Sequence, residues 1–200
     1  MTDRTLTRGL ATALLLTVAS QIFYIMVVSG SENEMLRPLT WFTELLAFSV
    51  VAIFAHALAA RRPLQAVLWS TIALSGAFNV LQVGMGLSMF APAMEVRESL
   101  PELFGAILAG AFFFYFLAKL LIGAAAISLG LDAVRSSGSG LAKGIGGVAA
   151  LAGLAAIALS LAAMVDSEAW TIAAGGAGTA ATALFALLLL LPASSEKKSA

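Results

Sequence analysis

Cysteine is missing from the 200-residue sequence, and His56 is its only histidine. The lack of cysteine excludes a disulfide framework, a thiolate metal site and a cysteine nucleophile. One histidine cannot supply both axial ligands of a bis-histidine haem within a single chain. No His-Glu-x-x-His motif, phosphate-binding loop or Gly-x-Ser-x-Gly motif is present either. We therefore expect no metal and no cofactor.

Charged residues are scarce as well, at 11% of the sequence, whereas soluble domains carry about 25%. The eleven basic and eleven acidic residues balance to zero, so no net field attracts nucleic acid. Hydrophobic residues instead make up 60% of the chain, more than one soluble core of this size can bury. The composition predicts an integral membrane protein, with the lipid bilayer as its first partner.

Six apolar segments each come close to the roughly 20 residues that a membrane-spanning helix needs. They cover residues 10–28, 39–60, 64–90, 104–129, 145–165 and 169–191. The first run is longer than the apolar core of a signal peptide, which favours an uncleaved helix. The fold prediction is an all-α, polytopic bundle of six transmembrane helices in one domain (residues 1–193), followed by a polar cytoplasmic tail (194–200).

Capping residues mark several of the predicted helix boundaries. Pro38 and Pro63 lie where helices start, a position at which a missing N–H group costs little. The segment Ser99-Leu100-Pro101-Glu102 fits a capping box, and Asp166 or Ser167 can cap the last helix. Residues 136–140 are predicted to be a flexible linker.

The basic residues predict the orientation of the bundle. With the N-terminus inside, eight of them fall on cytoplasmic segments: Arg4, Arg8, Arg61, Arg62, Arg135, Lys143, Lys197 and Lys198. Only Arg37 and Arg97 fall on external loops. Positive residues mark the cytoplasmic side, so both termini are predicted to lie in the cytoplasm.

Polar residues inside the apolar segments are the candidates for function, because charge in hydrocarbon is costly. Seven of them are predicted to line an outward-facing pocket of helices one to four: Gln21, Tyr24, Glu44, Asn79, Gln82, Tyr115 and Lys119. Lys119 would supply positive charge to the ligand. The estimated depths of Glu44 and Lys119 differ by about 15 Å of helix rise, which argues against direct contact.

Small residues form seams on the last two predicted helices. Gly146 and Gly153 lie on one face of helix five, and Gly175 and Gly178 lie on one face of helix six. Such seams let helix backbones approach closely in lipid. These four glycines are predicted to serve helix packing, with helices five and six packed against each other.

Three classes of function remain open. The leading hypothesis is binding or transport of a small polar or anionic ligand. The alternative is a structural or regulatory membrane subunit without a ligand, in which a membrane partner or a second copy of the chain binds the small-residue seams. The third is an enzyme acting on a lipid-soluble substrate, which the lack of any base–nucleophile pair disfavours.

Four stretches carry a resemblance to a known family. They are Gly9-Leu10-Ala11, the Asn-Val-Leu-Gln-Val-Gly run from Asn79 to Gly84, Leu120-Leu121-Ile122-Gly123, and Lys143-Gly144-Ile145-Gly146. The chain resembles small bacterial integral membrane proteins classed as a domain of unknown function. This resemblance implies a six-helix bundle and assigns no activity to any residue. The expected location is a cell membrane, and in bacteria the inner membrane.

Overall fold

The computed structural model describes residues 1–191, which form a bundle of six long apolar helices. The helices are α1 (Asp3–Phe23, extended by a π-helical turn, Tyr24–Val28), α2 (Leu36–Arg61), α3 (Ala66–Glu95, after a 3-10 turn, Pro63–Gln65), α4 (Pro101–Ser136), α5 (Gly140–Val165) and α6 (Ser167–Leu190). Each is long and apolar enough to span a membrane. The predicted all-α bundle is therefore confirmed.

Most helices extend beyond the apolar segments that predicted them. α1 begins at Asp3, well before residue 10, and α4 continues to Ser136, past residue 129. α3 runs through Pro92 to Glu95. Apolar character marks the thickness of the hydrocarbon, whereas backbone hydrogen bonding can continue into the headgroup region. The predicted tail, residues 194–200, lies outside the described residues.

The predicted caps have mixed outcomes. Asp166 Oδ1 accepts a hydrogen bond from the Ala169 backbone N–H at 3.1 Å, which confirms the cap of α6. The predicted capping box before α4 is wrong, because Ser99 Oγ donates to the Val96 carbonyl instead. Pro101 takes the first position of α4, where its missing N–H group costs nothing, and the capping position falls to Leu100.

The predicted linker at residues 136–140 is shortened to residues 137–139, because its first and last residues belong to the two helices that it joins. Ser136 is the last residue of α4, and α5 already begins at Gly140. Ser139 caps α5, with its Oγ accepting from the Ala142 backbone N–H at 3.4 Å. The turn between α4 and α5 is therefore short, which keeps the two helices side by side.

The glycine seam of α5 faces α4. A Cβ atom built on Gly146 would lie 2.6 Å from the carbonyl oxygen of Gly130, and one on Gly153 would meet the carbonyl of Gly123. The prediction that α5 and α6 pack together is confirmed, but Gly146 and Gly153 of the α5 seam face α4. Matching glycines on α4, Gly123 and Gly130, let the two backbones approach closely.

Candidate functional site

Lys119 lies in the middle of α4 with 3% of its surface exposed, so its side chain points into the bundle. Its ammonium group donates to Gln21 Oε1 of α1 at 2.9 Å and lies 5.1 Å from the centre of the Tyr115 ring. The hydroxyl of Thr179 on α6 donates to the same Gln21 oxygen at 2.7 Å. A single amide oxygen thus joins α1, α4 and α6.

Two glycines of α6 make room for the side chains of α4. A Cβ atom built on Gly178 would lie 2.5 Å from Cδ of Lys119, and one on Gly175 would lie 2.9 Å from the Tyr115 hydroxyl. The sequence assigned both glycines to helix packing alone. In the structure they leave the space that these two predicted ligand-binding residues occupy.

Glu44 brings a second buried charge from α2, with 7% of its surface exposed. Its carboxyl faces the Ser20 hydroxyl and lies within Coulomb range of Lys119. Ser20 and Gln21 are consecutive on α1, so the carboxyl and the ammonium reach nearly the same depth. The sequence-based separation of about 15 Å refers to the helix axes, and the long side chains of Glu44 and Lys119 shorten the distance between the charged groups.

Glu44 and Lys119 nevertheless form no direct ion pair, as the sequence predicted. Within residues 1–191, the ion pairs that the structure contains both involve Asp3, with Arg61 at 3.5 Å and Arg62 at 3.1 Å. The two buried charges therefore lie near each other without touching. This arrangement leaves hydrogen-bonding capacity on both groups.

Asn79 of α3 is also buried, with 3% of its surface exposed. Its Nδ2 donates to the Ser75 carbonyl at 3.0 Å, and the Ser75 hydroxyl donates to the Ala118 carbonyl, one residue before Lys119. Within residues 1–191, Asn79 Oδ1 and Ser20 Oγ are buried without a hydrogen-bond partner. Unpaired polar atoms at this depth are costly and call for an explanation.

Tyr24 and Gln82 are not brought to Lys119. Tyr24 stacks on Trp41 with ring centroids 6.3 Å apart, and Trp41 meets Phe90 edge-on at 5.7 Å. Gln82 is half-buried and forms no side-chain hydrogen bond within the described chain. Thr179 and Ser20 are the contributors that the sequence missed. Thr179 lies four residues after Gly175, on the same face of α6, and this spacing could have identified Thr179 from the sequence.

Two cavities of the described chain open elsewhere, around the N-terminal end of α1 and along α3 and α4. None of the seven predicted residues lines either cavity. Among residues 1–191, no three histidine or acidic side chains come close enough to hold a metal ion. The Lys119 cluster, which we define as Gln21, Glu44, Tyr115, Lys119 and Thr179, is instead a closely packed group of polar side chains.

The fold and this cluster define a class: a multi-pass helical membrane protein with ionisable side chains in its interior. No family model matches the chain, and neither does any curated protein or solved structure. The resemblance to bacterial proteins of unknown function stays a prediction.

Proposed function

We propose that the protein binds a small polar solute with an anionic group at the Lys119 cluster, as a step in moving that solute across the membrane. One observation carries this proposal. The buried Lys119 ammonium has three N–H donors, but within residues 1–191 it donates to one neutral oxygen, that of Gln21. Ionisable groups that face the interior of a membrane bundle commonly mark a solute pathway.

The neighbouring groups favour a solute that carries both acceptors and donors. A carboxylate or phosphate oxygen of the solute would accept from Lys119, and a donor group would meet the Glu44 carboxyl. The unpartnered Asn79 oxygen offers one more acceptor within the described chain. In a low-dielectric interior these interactions are stronger than in water.

The test compares the solutes that co-purify with the protein in mild detergent, identified by mass spectrometry. The wild type is expected to carry a solute in stoichiometric amount, and Lys119→Met is expected to lose it. Lys143→Met is the matched control, because it removes the same charge from an exposed position at the start of α5. A solute that both variants retain, or none in the wild type, would contradict the proposal.

A structural or regulatory subunit is the second candidate. The observation in its favour is that Gln21 Oε1 already ties three helices together, through Lys119 and Thr179. This role predicts that Lys119→Met lowers the unfolding temperature in detergent and that a membrane partner remains bound after mild solubilisation. Unchanged or higher stability would show that Lys119 has no structural partner to lose.

A further inference from the structure

A polar cavity of about 1090 Å³ opens among α1, α3, α4 and α6 at the end of the bundle that carries the N-terminus. Its charged lining residues are Arg4, Arg8, Arg62, Asp3 and Asp132. Three positive charges against two negative ones leave the lining with one net positive charge. The cavity therefore favours an anionic occupant.

The arginines of this cavity differ in what they already bind. Arg62 donates to Asp3 at 3.1 Å, and Arg61 donates to the same carboxylate at 3.5 Å. Arg4 and Arg8 are exposed and have no hydrogen bond or ion pair from their side chains within residues 1–191. Four residues apart on α1, they share one helical face. Two guanidinium groups side by side, both unpaired among the described residues, suit a phosphate, which arginine binds through two parallel hydrogen bonds.

An apolar groove leads away from this cavity between α3 and α4. It has a volume of about 580 Å³ and shares Gln65, Leu129 and Asp132 with the polar cavity. Most of its other lining is aliphatic and includes Leu64, Val67, Leu68, Ala124 and Leu131, and the rest consists of Thr71, Ser128 and Arg135. Leu64 and Val67 are almost fully exposed, so the groove is open at the side of the bundle.

Trp69 is buried in the bundle and lines the cavity beside Gln65, where the cavity meets the groove. Its indole N–H donates to Gln65 Oε1 at 3.2 Å, and the guanidinium of Arg62 lies 5.7 Å from the centre of its ring. Arginine side chains near the ends of spanning helices extend to the headgroup level of a bilayer, and Arg62 lies at such an end. The polar cavity is therefore at the height of lipid phosphates, and the groove begins at the same height and extends deeper into the bilayer, to Thr71 and Ala124.

We infer that this end of the protein binds an anionic phospholipid, with its phosphate at Arg4 and Arg8 and one acyl chain in the groove of α3 and α4. A polar cavity joined to an apolar groove matches a molecule with a charged head and a hydrocarbon tail. A free phosphate ion would use the cavity alone. The arginine count predicts that this end faces the cytoplasm, where the leaflet carries anionic lipid.

The first experiment measures lipid binding to the full chain in detergent by native mass spectrometry. Phosphatidylglycerol is expected to bind more tightly than phosphatidylcholine. The double variant Arg4→Gln/Arg8→Gln is expected to weaken phosphatidylglycerol binding roughly 30-fold. Each arginine near an anionic lipid surface contributes a roughly fivefold gain in affinity, and the variant loses two of them. Arg37→Gln/Arg97→Gln is the matched control and is expected to bind as the wild type does.

The second experiment separates a lipid from a free phosphate. Ser128 is exposed in the groove, so Ser128→Trp is expected to fill it and to weaken phosphatidylglycerol binding. Val148→Trp places the same side chain on an exposed face of α5 and is expected to have no effect. Unfolding temperatures in detergent verify that all variants are folded.

Three results would overturn the inference. Phosphatidylglycerol could bind no better than phosphatidylcholine, or the two double-arginine variants could bind it equally. Alternatively, Ser128→Trp could leave lipid binding unchanged while inorganic phosphate displaces the bound lipid, which would identify a phosphate-ion site. Loss of lipid binding in both Arg4→Gln/Arg8→Gln and Ser128→Trp, with both controls intact, supports the inference.

Discussion

Lys119 shows how one residue constrains its surroundings. A lysine at the centre of a spanning helix costs about 2.5–3.5 kcal/mol on insertion scales, so its neighbours must offset part of that cost. The Gln21 oxygen offsets part of the cost by accepting a hydrogen bond from Lys119, and the face of the Tyr115 ring offsets part of it by a cation–π interaction. Gly178 contributes by having no side chain, which lets the stem of Lys119 lie against α6.

The first prediction concerns this close approach. Gly178→Ala places a Cβ atom 2.5–2.9 Å from three carbons of the Lys119 stem, so α6 must move away. We expect a loss of about 1–3 kcal/mol, the usual effect of overpacking. It would appear as a lower unfolding temperature in detergent.

Gly176 on the same helix provides the control. A Cβ atom there meets nothing within 4 Å, so Gly176→Ala is expected to be neutral or slightly stabilising. Equal unfolding temperatures for the two variants would mean that α6 does not depend on the space beside Lys119.

Among the helices, the contact between α4 and α5 depends on two glycine pairs. Gly130 faces Gly146, and Gly123 faces Gly153, each at a position where a side chain would strike the opposite carbonyl. Association in lipid gains no hydrophobic energy, because lipid tails are as apolar as leucine. Close backbone contact, with its dispersion and weak Cα–H···O interactions, is therefore what holds such a pair together.

The second prediction tests this contact. Gly153→Ala would bring a methyl group to within 2.9 Å of Ile127 Cγ1 and against the Gly123 carbonyl, which is backbone and cannot rotate away. We expect α4 and α5 to separate slightly and the unfolding temperature to fall, at a cost of about 1–3 kcal/mol.

Gly147→Ala is the matched control on the same helix, because nothing lies within 4 Å of the added Cβ atom. It is expected to retain the wild-type unfolding temperature. If Gly153→Ala were equally harmless, the backbones of α4 and α5 would have to be free to part without cost.

For the whole molecule, the distribution of arginine and lysine predicts the orientation in the membrane. Arg61 and Arg62, at the turn between α2 and α3, lie beside Asp3 at the start of α1. The arginine-lined end of the bundle is thus one surface, and the rule of cytoplasmic positive charge assigns it to the inside.

Labelling of single cysteines tests this orientation in a chain that has none of its own. Ser99→Cys, in the turn between α3 and α4, is expected to react with a membrane-impermeant maleimide on intact cells. Gly138→Cys, between α4 and α5, is expected to react only after the membrane is permeabilised. The reverse labelling pattern would mean that the bundle has the opposite orientation and that the proposed lipid site lies in the outer leaflet.

The candidate site could be predicted in part. Gln21, Glu44, Tyr115 and Lys119 stand out because they are polar residues in apolar runs, and the structure gathers them. Tyr24 lies in the same kind of run but joins an aromatic stack with Trp41. A sequence gives each polar residue a depth and a helical face, but neighbours depend on which helices pack together.

The contribution of α6 was the main omission. Its glycines were predicted to serve packing because glycine seams commonly do so in membrane helices. Its threonines gave no signal, since threonine is frequent at the interfaces of such helices. The contribution of Thr179 depends on its hydrogen bond to Gln21, which is far away along the chain. Contacts across that distance depend on the order of the helices in space, which local sequence patterns do not encode.

The sequence by itself determined that the described chain is a bundle of apolar helices, because the length and apolar character of a spanning segment are local properties. It also gave the charge pattern that predicts orientation. The tertiary structure decided that α5 packs its glycines on α4 and that α6 faces Lys119. In lipid no hydrophobic force sorts one apolar helix face from another, so the fit of particular small and large side chains makes that choice.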